Sequence, residues 1–270
     1  MKKIDNFLRF FGVLILFGLL VLGCDKNARR RKELSRMKGN FSIEQPVSSE
    51  IHSIDAKLYF GDLKLLAGDA FSVRADCSYK ELIPEIRESD GKLTISQSEK
   101  VRRKQFPENI MCVVEITCPS GKAGGKRFSE IDLASIVGNV SVQGVSSDAI
   151  MVNCGVGNLK VSDCFSAESS VESDTGNISV ENLSSSILTV KTATGNQSIS
   201  NTSFDELNAS SKLGNVRIRG INLLSDYSID LNVGIGSIIL GGEKQGKSCK
   251  VDGGPKKINA SAETGNITVE

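Results

Sequence analysis

The chain has 270 residues, with 33 basic and 32 acidic side chains, no Trp and three Tyr. That balance lacks the basic excess of a nucleic-acid-binding protein, and so few aromatic rings leave no stacking platform for bases. The 26 glycines, set among many Ser, Asn and Val, point to short strands broken by frequent turns, an all-β chain.

The N-terminal residues 1–23 read as a signal peptide. Lys2, Lys3 and Arg9 form a basic region, and Phe10 to Gly23 is a run of fourteen apolar or glycine residues. That run suits a signal h-region and falls short of the roughly 20 residues a spanning helix needs. It closes on Val21-Leu22-Gly23-Cys24, which resembles the bacterial lipobox. The resemblance implies acylation of Cys24 and a lipid-held protein on the extracytoplasmic side of the cell envelope. An uncleaved anchor starting near Phe7 is the competing reading. It fits less well, because Arg29, Arg30, Arg31 and Lys32 follow the apolar run directly. Both readings make membrane lipid a partner.

Residues 24–47 are polar and aperiodic and read as a lipid-anchored tether. Residues 48–128 form an N-terminal β region, with strand patterns at Lys57–Leu66, Phe71–Ala75, Lys92–Ser96 and Met111–Cys118. Gly61-Asp62 and Asp90-Gly91 supply turns there.

From 129 to 270 the chain repeats. Gly138-Asn139, Gly157-Asn158, Gly176-Asn177, Gly195-Asn196 and Gly214-Asn215 follow at intervals of nineteen, and Gly236-Ser237 and Gly265-Asn266 continue at 22 and 29. Aligning on the glycine exposes apolar columns. Five residues before it stand Leu133, Val152, Val171, Val190, Ala209, Leu231 and Ala260. Four after it stand Val142, Val161, Val180, Ile199, Ile218, Leu240 and Val269. Period-two alternation on both sides of the Gly-Asn step predicts two short strands per repeat. One repeat cannot bury its apolar face alone, whereas stacked repeats share a core. The expected fold is a β-solenoid of about seven rungs, with Gly and Asn as a structural turn ladder. Gln197 is the polar exception in its column, either a weak point or a satisfied amide.

Repeats such as Thr175-Gly-Asn-Ile-Ser-Val180 and Thr264-Gly-Asn-Ile-Thr-Val269 resemble those of the bacterial putative-adhesin family, a domain of unknown function. Phe60-Gly-Asp62 and Asp90-Gly-Lys-Leu-Thr-Ile95 resemble its opening strands, so the resemblance covers roughly residues 48–270. It implies the solenoid and supplies no catalytic residues.

The remaining motifs carry little chemistry. Gly241 to Ser248 satisfies the P-loop pattern, but Cys249-Lys-Val-Asp-Gly-Gly-Pro255 cannot form the helix that cradles phosphate. No cofactor is expected. His52 is the single histidine, which rules out a multi-histidine metal site or a triad. The outward columns hold no acidic ladder of the kind paired-carboxylate hydrolysis needs. Setting Cys24 aside leaves six cysteines, which read as mostly free thiols; disulfides, with fifteen pairings, are the alternative for an exported protein. The expected function is a non-enzymatic, membrane-anchored envelope protein presenting its solenoid surface to a glycan or protein. The alternatives are a carbohydrate-active enzyme on the same scaffold and a self-assembling envelope protein. For the last, Val269-Glu270 directly on a repeat strand suggests an unpaired edge open to end-to-end association.

Overall fold

The computed structural model describes residues 38–104, 106, 110–119, 127–221 and 224–270. The segment expected to be a signal peptide, Cys24 and the basic run after it lie outside the described residues. Among the described residues, no helix is long and apolar enough to cross a membrane.

The first seven strands are β1 (Phe41–Pro46), β2 (Ser53–Phe60), β3 (Asp62–Gly68), β4 (Ser72–Cys77), β5 (Glu85–Ser89), β6 (Lys92–Ser96) and β7 (Cys112–Pro119). Then come the regular pairs β8 (Arg127–Val137) with β9 (Val140–Gln143), β10 (Ser146–Val156) with β11 (Leu159–Ser162), and β12 (Phe165–Thr175) with β13 (Ile178–Glu181). The pattern continues through β14 (Ser184–Thr194) with β15 (Gln197–Ser200), and β16 (Glu206–Leu213) with β17 (Val216–Arg219). The last six are β18 (Tyr227–Ile235), β19 (Ile238–Leu240), β20 (Glu243–Gln245), β21 (Ser248–Val251), β22 (Lys256–Thr264) and β23 (Ile267–Val269).

Among the described residues, each rung from β8–β9 onward gives its longer strand to an eleven-stranded sheet and its shorter one to a twelve-stranded sheet. Neighbouring rungs pair parallel and without offset, so each inward residue meets its equivalent. Leu133, Val152, Val171 and Val190 stand side by side in this way. Inward residues of both sheets meet in one core, with Leu133, Val152, Val171, Val142 and Val161 sealed from solvent. Ser169 is tolerated in that core because its hydroxyl lies 2.6 Å from that of Ser166.

Three features depart from the sequence reading. Phe41–Pro46, placed in the tether, is a strand pairing antiparallel with β4. The N-terminal β region is continuous with the stack. Strands β2 and β3 form a rung that pairs with β8 and β9, and β6 with β7 form another outside it. The repeat strands are also unequal, three or four residues on one side of the Gly-Asn step and up to eleven on the other.

The order of the last rungs differs as well. Strands β22 and β23 insert between β16–β17 and β18–β19, so Val269 lies inside the stack. The outermost rung is covered by β20 and β21, both antiparallel to it. The bare edge expected at Val269 is therefore paired on both sides. At the other end β4 and β5 cover β7 and β6 antiparallel. Neither outer rung leaves its own strands as the bare edge of the stack.

Candidate functional site: the turn ladder and the groove beside it

Glycines 61, 138, 157, 176, 195, 214, 236 and 265 all hold φ between +139 and +152, a region L-residues rarely occupy. Contact imposes a second demand. A Cβ on Gly176 would overlap the carbonyl oxygen of Gly157, and the same overlap recurs along the column. Glycine is required here both by dihedral and by the rung spacing.

The residues that follow form a polar ladder. The side-chain oxygen of Asn139 accepts from the backbone N–H of Asn158 at 2.9 Å and from its amide at 3.3 Å. Asn158 does the same for Asn177, Asn177 for Asn196, and Asn196 for Asn215. Asn215 then serves Asn266, and Asn266 serves Ser237. At the near end Asp62 accepts both bonds from Asn139, at 2.8 and 3.1 Å. The ladder has a direction, so its first member needs only an acceptor and its last only a donor. Asp62 and Ser237, the two departures from Asn, fill those places.

A second ladder lies three residues before the glycine. Ser135 Oγ donates to Gly61 O at 2.9 Å, Cys154 Sγ to Gly138 O at 3.0 Å, and Thr192 and Ser211 reach the equivalent carbonyls at 3.4 Å. Cys154 is therefore a donor replacing Ser. Burial pushes its thiol up to about 11, so it keeps that proton at neutral pH.

The opposite corner of each rung also turns through left-handed backbone. Gly144, Asp163, Asn182, Asn201 and Gly220 have φ of +74, +56, +52, +50 and +77. Their shared position, six after the Gly-Asn glycine, and their residue types were a readable turn signal that the Gly-Asn alignment left unused.

Beside the two ladders the pairing of the long strands skips residues 155 and 174. Here lies a groove of about 710 Å³ crossing β8, β10, β12, β14, β16 and β22. Five spacings of about 4.8 Å make it about 24 Å long. Small residues such as Ala134, Gly155 and Ala193 leave it open, and Glu172, Lys191, Asp174, Lys212 and Glu263 line it with mixed charge. Lys191 binds Glu172 at 3.0 Å, and Ser170 also donates to that carboxylate. In the column just before the ladder glycines, Val137, Val156, Leu213 and Ile235 are exposed apolar residues, interrupted by Thr175 and Thr194 after Val156 and by Thr264 between Leu213 and Ile235.

The P-loop-like stretch folds otherwise than a phosphate cradle. Gly241 and Gly242 make the turn between β19 and β20, and β21 follows directly. Lys247 donates to the carbonyl of Gly236. Among the described residues no group of His, Cys, Asp or Glu is arranged to hold a metal ion. Cys118, Cys154, Cys164 and Cys249 stand as thiols, and Cys77 and Cys112 face each other with their sulfurs 2.6 Å apart.

Parallel rungs in two sheets, glycine-ordered corners and covered ends define a β-solenoid of the toastrack kind. The Toastrack DUF4097 family model matches residues 61–253, and the chain belongs to that family. Among solved structures, it is similar to a putative adhesin from Bacteroides fragilis at 15% identity and a TM-score of 0.56, covering 86% of this chain and 98% of that one. It is also similar to a putative cell adhesion protein from Clostridium sporogenes, at 17% identity and a TM-score of 0.45, over 86% and 99% of the two chains. A putative lipid binding protein from Parabacteroides distasonis is similar at 12% identity and a TM-score of 0.43, over 86% and 97%. No curated protein matches in sequence.

Proposed function

We propose that this chain is a non-enzymatic envelope protein of adhesin type, held to the membrane through Cys24, that binds an extended glycan or protein segment along its solenoid flank. The groove across six strands carries this reading. It follows the stacking axis, so an extended polymer meets a near-repeating surface of Ser, Asn, Lys and Glu. The regular Asn and Ser/Thr columns point into bonds between rungs, which leaves the variable positions beside them to contact a partner. Glu172, in the groove lining, is committed to Lys191 and Ser170. The carbohydrate-active alternative needs two carboxylates facing one scissile bond, which leaves Asp174 and Glu263 of the same lining as its candidates.

The test is co-sedimentation of the full chain with purified envelope glycan, with product analysis of the same mixture. Retention of intact polymer is expected. Release of shortened fragments would establish the enzyme instead, and absence of retention on both glycan and envelope protein would remove the binding reading. Mass spectrometry of the N-terminal peptide tests the anchor separately: diacylglycerol on Cys24 is expected, and an unmodified, uncleaved segment contradicts it.

A further inference from the structure

We propose that Cys77 and Cys112 form a disulfide that staples the N-terminal cover strand to the outermost rung. They stand directly opposite each other where β4 pairs antiparallel with β7. The next pair along is joined by Ser78 N–H donating to the carbonyl of Met111 at 2.7 Å. Hydrogen-bonded and open pairs alternate in an antiparallel ladder, so Cys77 and Cys112 occupy an open pair, where Cα atoms approach to about 4.5 Å. That spacing lies within the roughly 4.4–6.8 Å range disulfides span. Their sulfurs point into the same interior and lie 2.6 Å apart. Both residues are almost fully buried, at 1% and 3% exposure. Cys112 Sγ also lies 3.7 Å from the carbonyl oxygen of Leu82, but it faces a second sulfur, whereas Cys118 lies six residues along the strand and Cys154 and Cys164 bond to backbone carbonyls.

The staple would secure the part of the fold with the least redundant pairing. Strand β1 is joined to the stack through β4, and β4 through β7. Between Cys77 and Cys112 the chain runs through β5 and β6, the other half of the outer rung and its cover. A bond across those 35 residues therefore locks cover and rung into one closed loop.

The chemistry balances with a protein disulfide donor as oxidant. A thiolate of the pair attacks the donor disulfide, the second cysteine resolves the mixed disulfide, and the donor leaves as its dithiol with the two electrons and two protons. Burial requires this exchange while β4 is undocked, during folding. The finished bond is then shielded from reductants.

The inference rests on the envelope localisation proposed above, because such bonds persist in oxidising compartments. The full chain, purified in detergent, is reduced, refolded with glutathione disulfide, alkylated and digested without reductant. A Cys77–Cys112 linked peptide is expected, with Cys118, Cys154, Cys164 and Cys249 alkylated. Alkylation of both Cys77 and Cys112, or their linkage elsewhere, overturns the pairing. The bridged chain should melt about 10 °C above its reduced form, as a loop of this length implies, and the C77A/C112A variant should show no such response to reductant. Acid-quenched alkylation of intact cells separates the two claims: both thiols free in cells, with the bond closing in the purified chain, would overturn the localisation and leave the pairing standing.

Discussion

Replacing Gly176 by Ala tests the ladder where it is most regular. The residue holds φ +147, and an added Cβ would overlap the carbonyl oxygen of Gly157. Holding an L-residue in that backbone region costs about 1–3 kcal/mol. Relieving the overlap means prying two rungs apart, and overpacking of this kind costs about 1–3 kcal/mol. The shift also stretches the 3.0 Å bond from the Asn177 N–H to Asn158, worth about 1 kcal/mol. The total is about 3–7 kcal/mol, a large share of the stability of most domains. Gly246 is the control: its φ is ordinary and a Cβ there would meet only Ser248 O at 3.8 Å. Urea unfolding followed by far-UV circular dichroism should give a much lower midpoint for G176A and a wild-type midpoint for G246A. A G176A protein within about 0.5 kcal/mol of wild type would refute the claim that close rung contact sets the glycine spacing.

Three further outcomes follow from buried or half-buried polar groups. Gln97 accepts from the N–H groups of Tyr59 and Phe60 and donates to the carbonyls of Phe60 and Leu82, serving backbone that β6 ends too early to pair. Gln97→Leu should lower stability by about 2–5 kcal/mol in chemical denaturation, since several buried groups lose their partner at once. Gln197 instead leaves its Oε1 buried without a partner while its amide donates to Ser210 O. Gln197→Leu should raise stability by about 1 kcal/mol, the orphan oxygen outweighing the lost bond; a fall in the urea midpoint would contradict that balance. At Asp55, burial alone would push the carboxyl up, but hydrogen bonds from Lys92 and Lys57 outweigh it and hold the group below the usual carboxylate range. A carboxyl depressed in the folded state contributes stability at neutral pH that is lost as pH falls through its folded value. Melting temperatures should therefore separate wild type from Asp55→Asn at pH 7 and converge in acid.

The nineteen-residue period made the stack legible because each rung repeats the same inward positions and the same glycine corner. Gln197 was visible as an exception for the same reason. The rung order at the ends was hidden, since alternation specifies which face a strand buries and not which strand lies beside it. Small clues existed. Ala260 lies next to Ala209, and Asn259 donates to Asn208, so the rung at 256–269 matches the one at 206–219. Ser237 in place of Asn marks the last member of the ladder. The groove was not legible, because it crosses six long strands whose lining residues look like ordinary surface. The Cys77–Cys112 juxtaposition needed the antiparallel cover strand, which carries no repeat signal.

That the groove is a binding surface on a rigid stack is tested most directly by filling it. Ala193 lies in the groove lining and is partly exposed, and although it follows Thr192 of the second ladder it is itself a member of neither ladder. The full chain and its Ala193→Trp variant should be titrated against the envelope glycan or protein fraction that retains the wild type, with unfolding curves run in parallel. The predicted result is a loss of affinity of about tenfold or more, equivalent to about 1.4 kcal/mol, with stability unchanged. Equal affinity in the two proteins would contradict the claim.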